Sequence, residues 1–319
     1  MWNKSKKYIL GSGLVALACK KILGDDWNII PFGPSRFYKD KITWGDNYII
    51  YDSIVADLMR GWESFDMIPI FYKRPFSYGG QLLYNTVFVD AYLEKSGIDK
   101  NPISSQYFKT DFPVFNFSTS ALWRYLVKQN LDNIKSFYSQ YENVKGIEFI
   151  KDGCIWLKTD IGHEKLEYDQ LISTIPFNSL ADMAGIADRN DNISCYYYLI
   201  KSNKIDIEKA NQVLVCDNSI PFNKCTRFRN NNYLIEVQDE YYENPYNVFK
   251  AVFEDPFEIL ETNCIKDAIP KYLKINEKVF ENKNIILIGS SAQCDPLMDI
   301  GSCLKRVGKQ VNKQKIMIS

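Results

Sequence analysis

The chain has 319 residues, of which 46% are hydrophobic and 24% charged, as in an ordinary globular protein that buries a substantial core. Its 39 Lys+Arg residues balance its 39 Asp+Glu residues, which leaves no net charge to attract nucleic acid or an anionic membrane surface. Eight cysteines without a C-x-x-C pair, together with a single histidine, argue against a zinc site, a redox dithiol and a histidine-dependent triad.

The distribution of cysteines and apolar runs predicts a cytoplasmic protein. Cysteines spread through apolar segments are typical of reduced, buried thiols. No run reaches the roughly 18 apolar residues that span a bilayer. Gly11 and Gly13 interrupt the apolar run near the N-terminus, where a signal peptide needs a continuous helix. We therefore expect neither a membrane partner nor a signal peptide.

The first predicted elements form a strand, a helix and a second strand. Residues 7–10 are an apolar strand that enters a Gly11-Ser12-Gly13 turn, and residues 14–23 follow as an apolar helix. A Gly-Asp-Asp turn at 24–26 then leads into a strand over 27–32. This order is typical of the opening βαβ unit of a doubly wound parallel sheet.

The glycine turn has the residue types that a dinucleotide-binding site needs. Gly11 permits a tight turn, Gly13 lets the backbone approach a pyrophosphate, and Ala16 is small enough for close helix–strand packing. The following helix N-terminus presents N–H groups and a positive dipole end to that anion. The second strand ends without the acid that usually holds ribose hydroxyls, which argues against NAD. In its place we expect Phe32 to cover an adenine face.

The later elements are predicted from their periodicity. Helical spacing predicts helices over 53–65 and 119–141, a helical region over 256–272 and a terminal helix from Met298. Apolar runs bounded by turn residues predict strands over 68–72, 76–78, 144–150, 154–159, 165–168, 169–174, 193–200, 212–216, 225–229, 232–237 and 284–288. The β-rich central part therefore reads as an insertion into the first domain.

Three further segments carry motifs, in chain order. The first is YDQLISTIP at 168–176, after a predicted strand–turn–strand, and the second is SIPFNKCTRF at 219–228. The third begins with IGSS at 288–291, where a strand again enters a glycine turn, and continues with LMDIGS at 297–302. Together with the N-terminal glycine turn, these segments resemble passages of the FAD-dependent amine oxidases and the UDP-galactopyranose mutases.

This resemblance implies FAD as the cofactor. The residues implied to hold the pyrophosphate are Gly11, Ser12, Gly13, Leu14 and Val15. Those implied to contact the ribityl phosphate and the flavin are Gly289, Ser290, Met298, Asp299 and Ile300. Thr174 and Pro176 are expected near the nucleotide. Capping of a helix is the simpler role for at least one of Asp295 and Asp299.

The resemblance also implies an α/β fold, with a Rossmann-like FAD-binding domain and an inserted β-rich (α+β) substrate domain. The FAD-binding domain is expected to be discontinuous, over 1–66, 142–190 and 275–319. The substrate domain is expected over 67–141 and 191–274.

Two basic clusters are the candidate catalytic residues. Lys224 stands at the position of a mutase arginine, and Arg227 follows on the same predicted strand, with opposite parity. Arg74 and Tyr78 belong to a second basic and aromatic cluster. A substrate diphosphate needs such paired cations.

Three function classes follow for the whole chain. The first is a flavin enzyme resembling the mutases, which acts on a nucleotide-linked sugar or a similar small molecule. The second is a flavin-dependent oxidase or dehydrogenase of the amine oxidase type. The third is a non-catalytic nucleotide-binding relic, which the missing ribose-binding acid favours.

Overall fold

The structure is a computed structural model that describes residues 6–32, 48–62, 66–98, 108–116, 119–202, 207, 210–228, 231–238, 257–271, 275–293 and 299–318. The chain divides into two compact units. The first unit comprises Met1–Pro69, Phe115–Asn190 and Lys274–Ser319, and the second comprises Ile70–Val114 and Asp191–Leu273.

The strands in chain order are β1 (Lys7–Leu10), β2 (Trp27–Ile30), β3 (Asp66–Lys73), β4 (Phe76–Tyr78), β5 (Gln81–Leu83), β6 (Asp111–Asn116), β7 (Val144–Lys151), β8 (Cys154–Thr159), β9 (Gly162–Glu167), β10 (Gln170–Ser173), β11 (Asn192–Lys201), β12 (Gln212–Val215), β13 (Lys224–Arg227), β14 (Asn232–Gln238), β15 (Glu258–Pro270) and β16 (Ile285–Leu287).

The helices are α1 (Leu14–Leu23), α2 (Ser53–Leu58), α3 (Val89–Lys95), α4 (Thr119–Gln140), α5 (Phe177–Ala184), α6 (Glu277–Glu281), α7 (Ser290–Gln293) and α8 (Ile300–Ile318). Among the helices of the described ranges, none combines the length and the apolar character needed to cross a bilayer.

A parallel sheet forms the centre of the first unit. Its strand order is β16-β10-β1-β2, and all three pairings are parallel. One face carries Ile9 and Ile172 and packs against α1 and α8, through Cys19 and Val307 among others. On the other face, a cluster unites Leu10 and Leu171 with side chains of α5 and of the β7-β8-β9 sheet. The predicted Rossmann-like α/β arrangement is therefore confirmed.

Helix α4 belongs to the first compact unit. The sequence-based division placed residues 67–141 together, but residues 115–141 lie in the first unit. Apolar side chains of α4 such as Leu126 pack in one cluster with Ile29 of β2. The Asn133 side chain adds a hydrogen bond, because its Oδ1 accepts the N–H of Ile29 at 2.8 Å. Its Nδ2 donates to Asn28 Oδ1 at 3.2 Å. An edge strand has backbone groups without partners in a neighbouring strand, and the Asn133 side chain of α4 is the partner of one such group in β2.

The second unit is built on a seven-stranded sheet of order β15-β11-β14-β13-β12-β4-β5. Its pairings are antiparallel except for that of β12 with β4. One face carries an apolar cluster that includes Tyr198, Val213, Cys225 and Ile235. The residues that alternate with this cluster along the strands are also buried, but several of them are polar. These polar residues are Gln212, Lys224, Thr226, Glu236 and Gln238.

The helical region predicted over 256–272 is wrong, because this segment is strand β15. Its residues alternate between half-buried and exposed, with Ile259, Glu261, Asn263 and Ile265 on the half-buried side. Two of these four are polar, so the two faces of the strand do not separate apolar from polar residues. Register shifts against β11 disturb the alternation further.

Candidate functional site

The carboxyl ends of the four parallel strands meet at one edge of the first unit's sheet. Leu10 at the end of β1 is in register with Ile30 of β2 and with Ser173 of β10, and Ser173 pairs with Leu287 of β16. The chain leaves β1 for β2 on one side, while β10 lies on the other. Open α/β sheets bind ligands at such a switch point, outside the carboxyl ends of the strands.

Gly11 occupies the tightest position of this edge. Its φ of +131° is one that residues with a side chain rarely adopt, and a Cβ there would lie 2.1 Å from Thr174 Oγ1. The Thr174 hydroxyl is held in place, since it donates to the carbonyl of Leu10 at 3.1 Å. Gly11 itself donates its N–H to Ile30 at 3.0 Å. The turn therefore ties β1 to both neighbouring strands.

Gly13 is placed differently, in open space at the start of α1. Its φ of −76° is ordinary, it gives the helix no side-chain cap, and a Cβ there would have no heavy atom of the described residues within 4 Å. The neighbouring Ser12 hydroxyl donates to the carbonyl of Phe32 at 3.2 Å. The first N–H groups of a helix have no acceptor within the helix. This helix N-terminus therefore offers both donors and room for an anion.

The second glycine turn lies beside the first. Gly289 follows β16 with a φ of +118°, and a Cβ there would be 4.0 Å from Val15 Cγ1, in the first turn of α1. Ile288 donates its N–H to Ser173 at 2.9 Å, and Gln293 donates to Gly289 at 2.9 Å as α7 forms. Residues from both ends of the chain thus meet at the N-terminus of α1, with Ser290 opening α7.

Asp299 has the capping role expected for it. Its Oδ1 accepts the N–H of Ser302 at 2.9 Å and the Ser302 hydroxyl at 2.5 Å. Its Oδ2 accepts the N–H groups of Gly301 at 3.2 Å and Ile50 at 3.4 Å. The carboxylate thereby fixes the start of α8, where Ile300 is the first helical residue. The predicted Met298 and Asp295 lie outside the described residues.

Two more predicted residues flank the same edge. Pro176 precedes α5 and accepts the N–H of Leu180 at 3.1 Å, so it serves as the N-terminal residue of that helix. The Phe32 side chain is half-buried and packs against the core cluster that contains Leu10 and Ile30.

Lys224, a predicted diphosphate contact, is a buried ion-paired residue of the second unit. Its Nζ lies 3.1 Å from Glu236 Oε2, and the two side chains are only 11% and 4% exposed. The two residues face each other across β13 and β14, and Tyr197 of β11 faces Glu236 from the other side. Burial and the hydrogen bond to Glu236 raise the pKa of Tyr197 well above its usual value. The positive charge of Lys224 is thus balanced within the sheet.

The other candidate catalytic residues are spread over the second unit. Arg74 is fully buried, with its guanidinium carbon 4.7 Å from the ring centre of Phe112 and Nη2 donating to the Lys109 carbonyl at 3.2 Å. Tyr78 is 51% exposed and its ring lies 5.4 Å from that of Phe88. Arg227 is half-buried at the end of β13. The structure therefore brings together the predicted cofactor residues that it describes, but not the predicted catalytic ones.

Sequence reasoning missed Glu236 as the partner of Lys224. A signal for it exists, because a carboxylate between Ile235 and Val237 in an apolar strand is rarely buried unless it is paired. The identity of the partner depends on strand register, which the sequence does not display.

Comparison with known proteins shows similarity in fold. No protein-family model matches the chain, and no curated protein matches its sequence. A structure of reduced UDP-galactopyranose mutase matches with a TM-score of 0.63 and 12% identity, over 97% of this chain and 96% of that one. A CLA-producing fatty acid isomerase from P. acnes matches with a TM-score of 0.60 and 10% identity, over 97% and 98%.

A p-nitrophenol 4-monooxygenase from Pseudomonas putida DLL-E4 matches with a TM-score of 0.59 and 8% identity, over 98% of this chain and 82% of that one. The fold that the sequence motifs predicted by resemblance is therefore confirmed: the chain shares the fold of this mutase, this isomerase and this monooxygenase.

Proposed function

We propose that the chain is a flavin-dependent enzyme that binds FAD at the carboxyl edge of its parallel sheet and acts on a small molecule. The observation that carries this proposal is the meeting of both glycine turns at the N-terminus of α1, where the N-cap residue is Gly13 and has no side chain to cap the helix. The likeness in fold to a reduced UDP-galactopyranose mutase supports it.

The residues of the edge fit the parts of FAD. The open space at Gly13 and the N–H groups of Leu14 and Val15 suit the pyrophosphate, with Gly11 and Ser12 shaping the turn. Gly289 and Ser290, with Ile300 and the Asp299 cap, would hold the ribityl and ring end, while Thr174, Pro176 and Phe32 border the nucleotide. When bound, FAD supplies a ring that takes up and returns electrons.

The substrate class divides the proposal into two candidates. A mutase-like reaction on a nucleotide-linked sugar is supported by the likeness to the mutase, with Arg227 as the proposed diphosphate contact and Tyr78 as a separate further candidate. The oxidoreductase candidate does not require a diphosphate site, and in the second unit Glu236 balances Lys224 while Arg74 is buried on Phe112. Neither of these cations is presented as a diphosphate site.

The flavin proposal is tested by Gly13→Ala, with Gly146→Ala as the matched control. Both glycines have ordinary φ values and open space at the Cβ position, so both variants should keep the melting temperature of the natural protein. The methyl group of the first variant fills the space in front of α1. We expect it to weaken FAD binding by at least about tenfold, or about 1.4 kcal/mol, in a fluorescence titration of the apoprotein.

Gly146→Ala should bind FAD like the natural protein. Equal affinity in a correctly folded Gly13→Ala variant, or no flavin binding by the natural protein, would overturn the proposal.

The two substrate candidates are separated by adding UDP-galactopyranose or an amine to the flavin-loaded protein. Binding of the sugar nucleotide that Arg227→Ala abolishes supports the mutase-like candidate, and oxygen consumption with the amine supports the other.

A further inference from the structure

One buried lysine of the second unit holds a loop by three backbone carbonyls. Lys95 is the last residue of α3 and is only 8% exposed. Its Nζ donates to the carbonyl oxygens of Asp217 at 2.6 Å, Ile220 at 2.7 Å and Phe222 at 2.9 Å. All three acceptors belong to the loop that connects β12 to β13. The ammonium group of one side chain therefore binds three carbonyl groups along this loop.

The loop has its own local folding, which orients these carbonyls. Asp217 Oδ1 accepts the N–H and the hydroxyl of Ser219, at 2.9 and 2.7 Å, and Ile220 donates its N–H back to the Asp217 carbonyl at 3.2 Å. The strand that follows begins with Lys224, which is ion-paired to Glu236. Because the loop leads directly into β13, the contacts that fix the loop also fix the chain just before the first residue of that strand.

The number of donors matches the number of acceptors only in the charged form. An ammonium group has three N–H donors, one for each carbonyl, whereas a neutral amine has two donors and a lone pair. In the neutral form one carbonyl oxygen would face that lone pair without a hydrogen bond, in a place with little access to water.

We infer that Lys95 is a protonation-dependent latch that fixes the β12–β13 loop while it is charged and releases it when it loses its proton. Burial lowers the pKa of Lys95 to about 8, against the opposing effects of Asp217 and Cys216. The hydrogen bonds from Ser219 lower the pKa of Asp217, so this carboxylate stays ionised, and burial raises the pKa of Cys216 to about 12, so this thiol stays neutral. The latch therefore opens in mildly alkaline solution, through Lys95 alone.

The latch is tested by hydrogen exchange of the 217–224 segment in the natural full-length protein, in Lys95→Met and in Lys20→Met. Lys20 is the matched control, since it is a buried lysine of the first unit that donates to one carbonyl, that of Gly24 at 2.9 Å. At about pH 7 we expect Lys95→Met to exchange several-fold faster in this segment, because all three hydrogen bonds are gone. Lys20→Met should match the natural protein there.

The pH dependence distinguishes a latch from a merely structural lysine. At about pH 10, after correction for intrinsic rates, the natural protein should approach the exchange of Lys95→Met, which itself should not change. If Lys95→Met does not fold, Lys95→Arg, which keeps its charge, should show no rise between the two pH values. Equal exchange of the natural protein and Lys95→Met at about pH 7, or an undiminished difference at about pH 10, would contradict the inference.

Discussion

At the scale of single residues, the two glycines of the first turn have separable roles. Gly11 is required by the backbone, since its φ of +131° and the 2.1 Å approach of a Cβ to Thr174 Oγ1 leave no place for a side chain. Gly13 is required only if something binds in front of α1, because its φ and its surroundings admit a methyl group. The same motif thus contains one structural and one ligand-dependent glycine.

We expect Gly11→Ala to lower the free energy of unfolding by about 1–3 kcal/mol from backbone strain alone. The contact with the Thr174 hydroxyl adds to this loss, because that hydroxyl is held by the Leu10 carbonyl. Urea denaturation of the variant beside Gly13→Ala measures the difference. A Gly11→Ala protein as stable as Gly13→Ala would contradict the described turn.

The buried pair of Lys224 and Glu236 leads to a second prediction at this scale. Lys224→Met should cost about 3–5 kcal/mol of unfolding free energy, because it leaves the Glu236 carboxylate buried without its cation. Adding Glu236→Gln removes that charge and keeps an oxygen that accepts the Tyr197 hydroxyl. The double variant should therefore recover part of the loss in urea denaturation. Single and double variants of equal stability would show that the pair is not coupled.

At the scale of elements, helix α4 stabilises the edge of the parallel sheet through one side chain. Asn133 accepts the N–H of Ile29, which lies in the middle of β2. We expect Asn133→Leu to cost about 1–3 kcal/mol, because the N–H of Ile29 stays buried without its acceptor. Lys135→Ala, an exposed position of the same helix, is the control and should change little in thermal or urea unfolding.

The elements show how far the sequence predicts this fold. Strand β1, helix α1 and strand β2 follow from an apolar run, a glycine turn and a helical run, signals that are local in sequence. The β7-β8-β9 meander is predicted for the same reason, from turn residues between short strands. Strand β15 was not predicted as a strand, because Glu261 and Asn263 lie on its half-buried side, where a strand pattern requires apolar residues.

The candidate site was predictable to a similar degree. Gly11 and Gly289 carry a backbone requirement of their own, with φ of +131° and +118°, and the strand–glycine–helix pattern around them is recognisable in the sequence. The partners of the charged residues are not, because Glu236 meets Lys224 only through the register of β13 and β14. A cation in a strand looks the same in sequence whether it faces a ligand or a carboxylate.

At the scale of the whole molecule, the account links the binding of FAD to stability. A ligand that binds only the folded protein at about 100 times its Kd raises the free energy of unfolding by about 2.7 kcal/mol. We expect FAD to raise the melting temperature of the natural protein and of Gly146→Ala, and to raise that of Gly13→Ala by about half as much or less, because tenfold weaker binding leaves about 1.4 kcal/mol at the same FAD concentration. A melting temperature of the natural protein that does not respond to saturating FAD would contradict this link.

The division of the chain also belongs to this scale. The sequence predicts a discontinuous first domain with a β-rich insertion, and the compact units assign residues 115–141 to the first unit. That segment contains the long helix α4, whose Leu126 and Ile134 side chains pack with Leu17 and Ile29 of the first unit. The helical periodicity predicts an apolar face but does not name the residues that this face packs against.

The central claim is tested most directly by identifying the small molecule released on denaturing the purified protein, after incubation with FAD and removal of the unbound excess. We expect FAD, by mass and by its flavin absorption, in an amount that approaches one molecule per chain and falls sharply in Gly13→Ala. A colourless natural protein that retains no flavin after this incubation would contradict it.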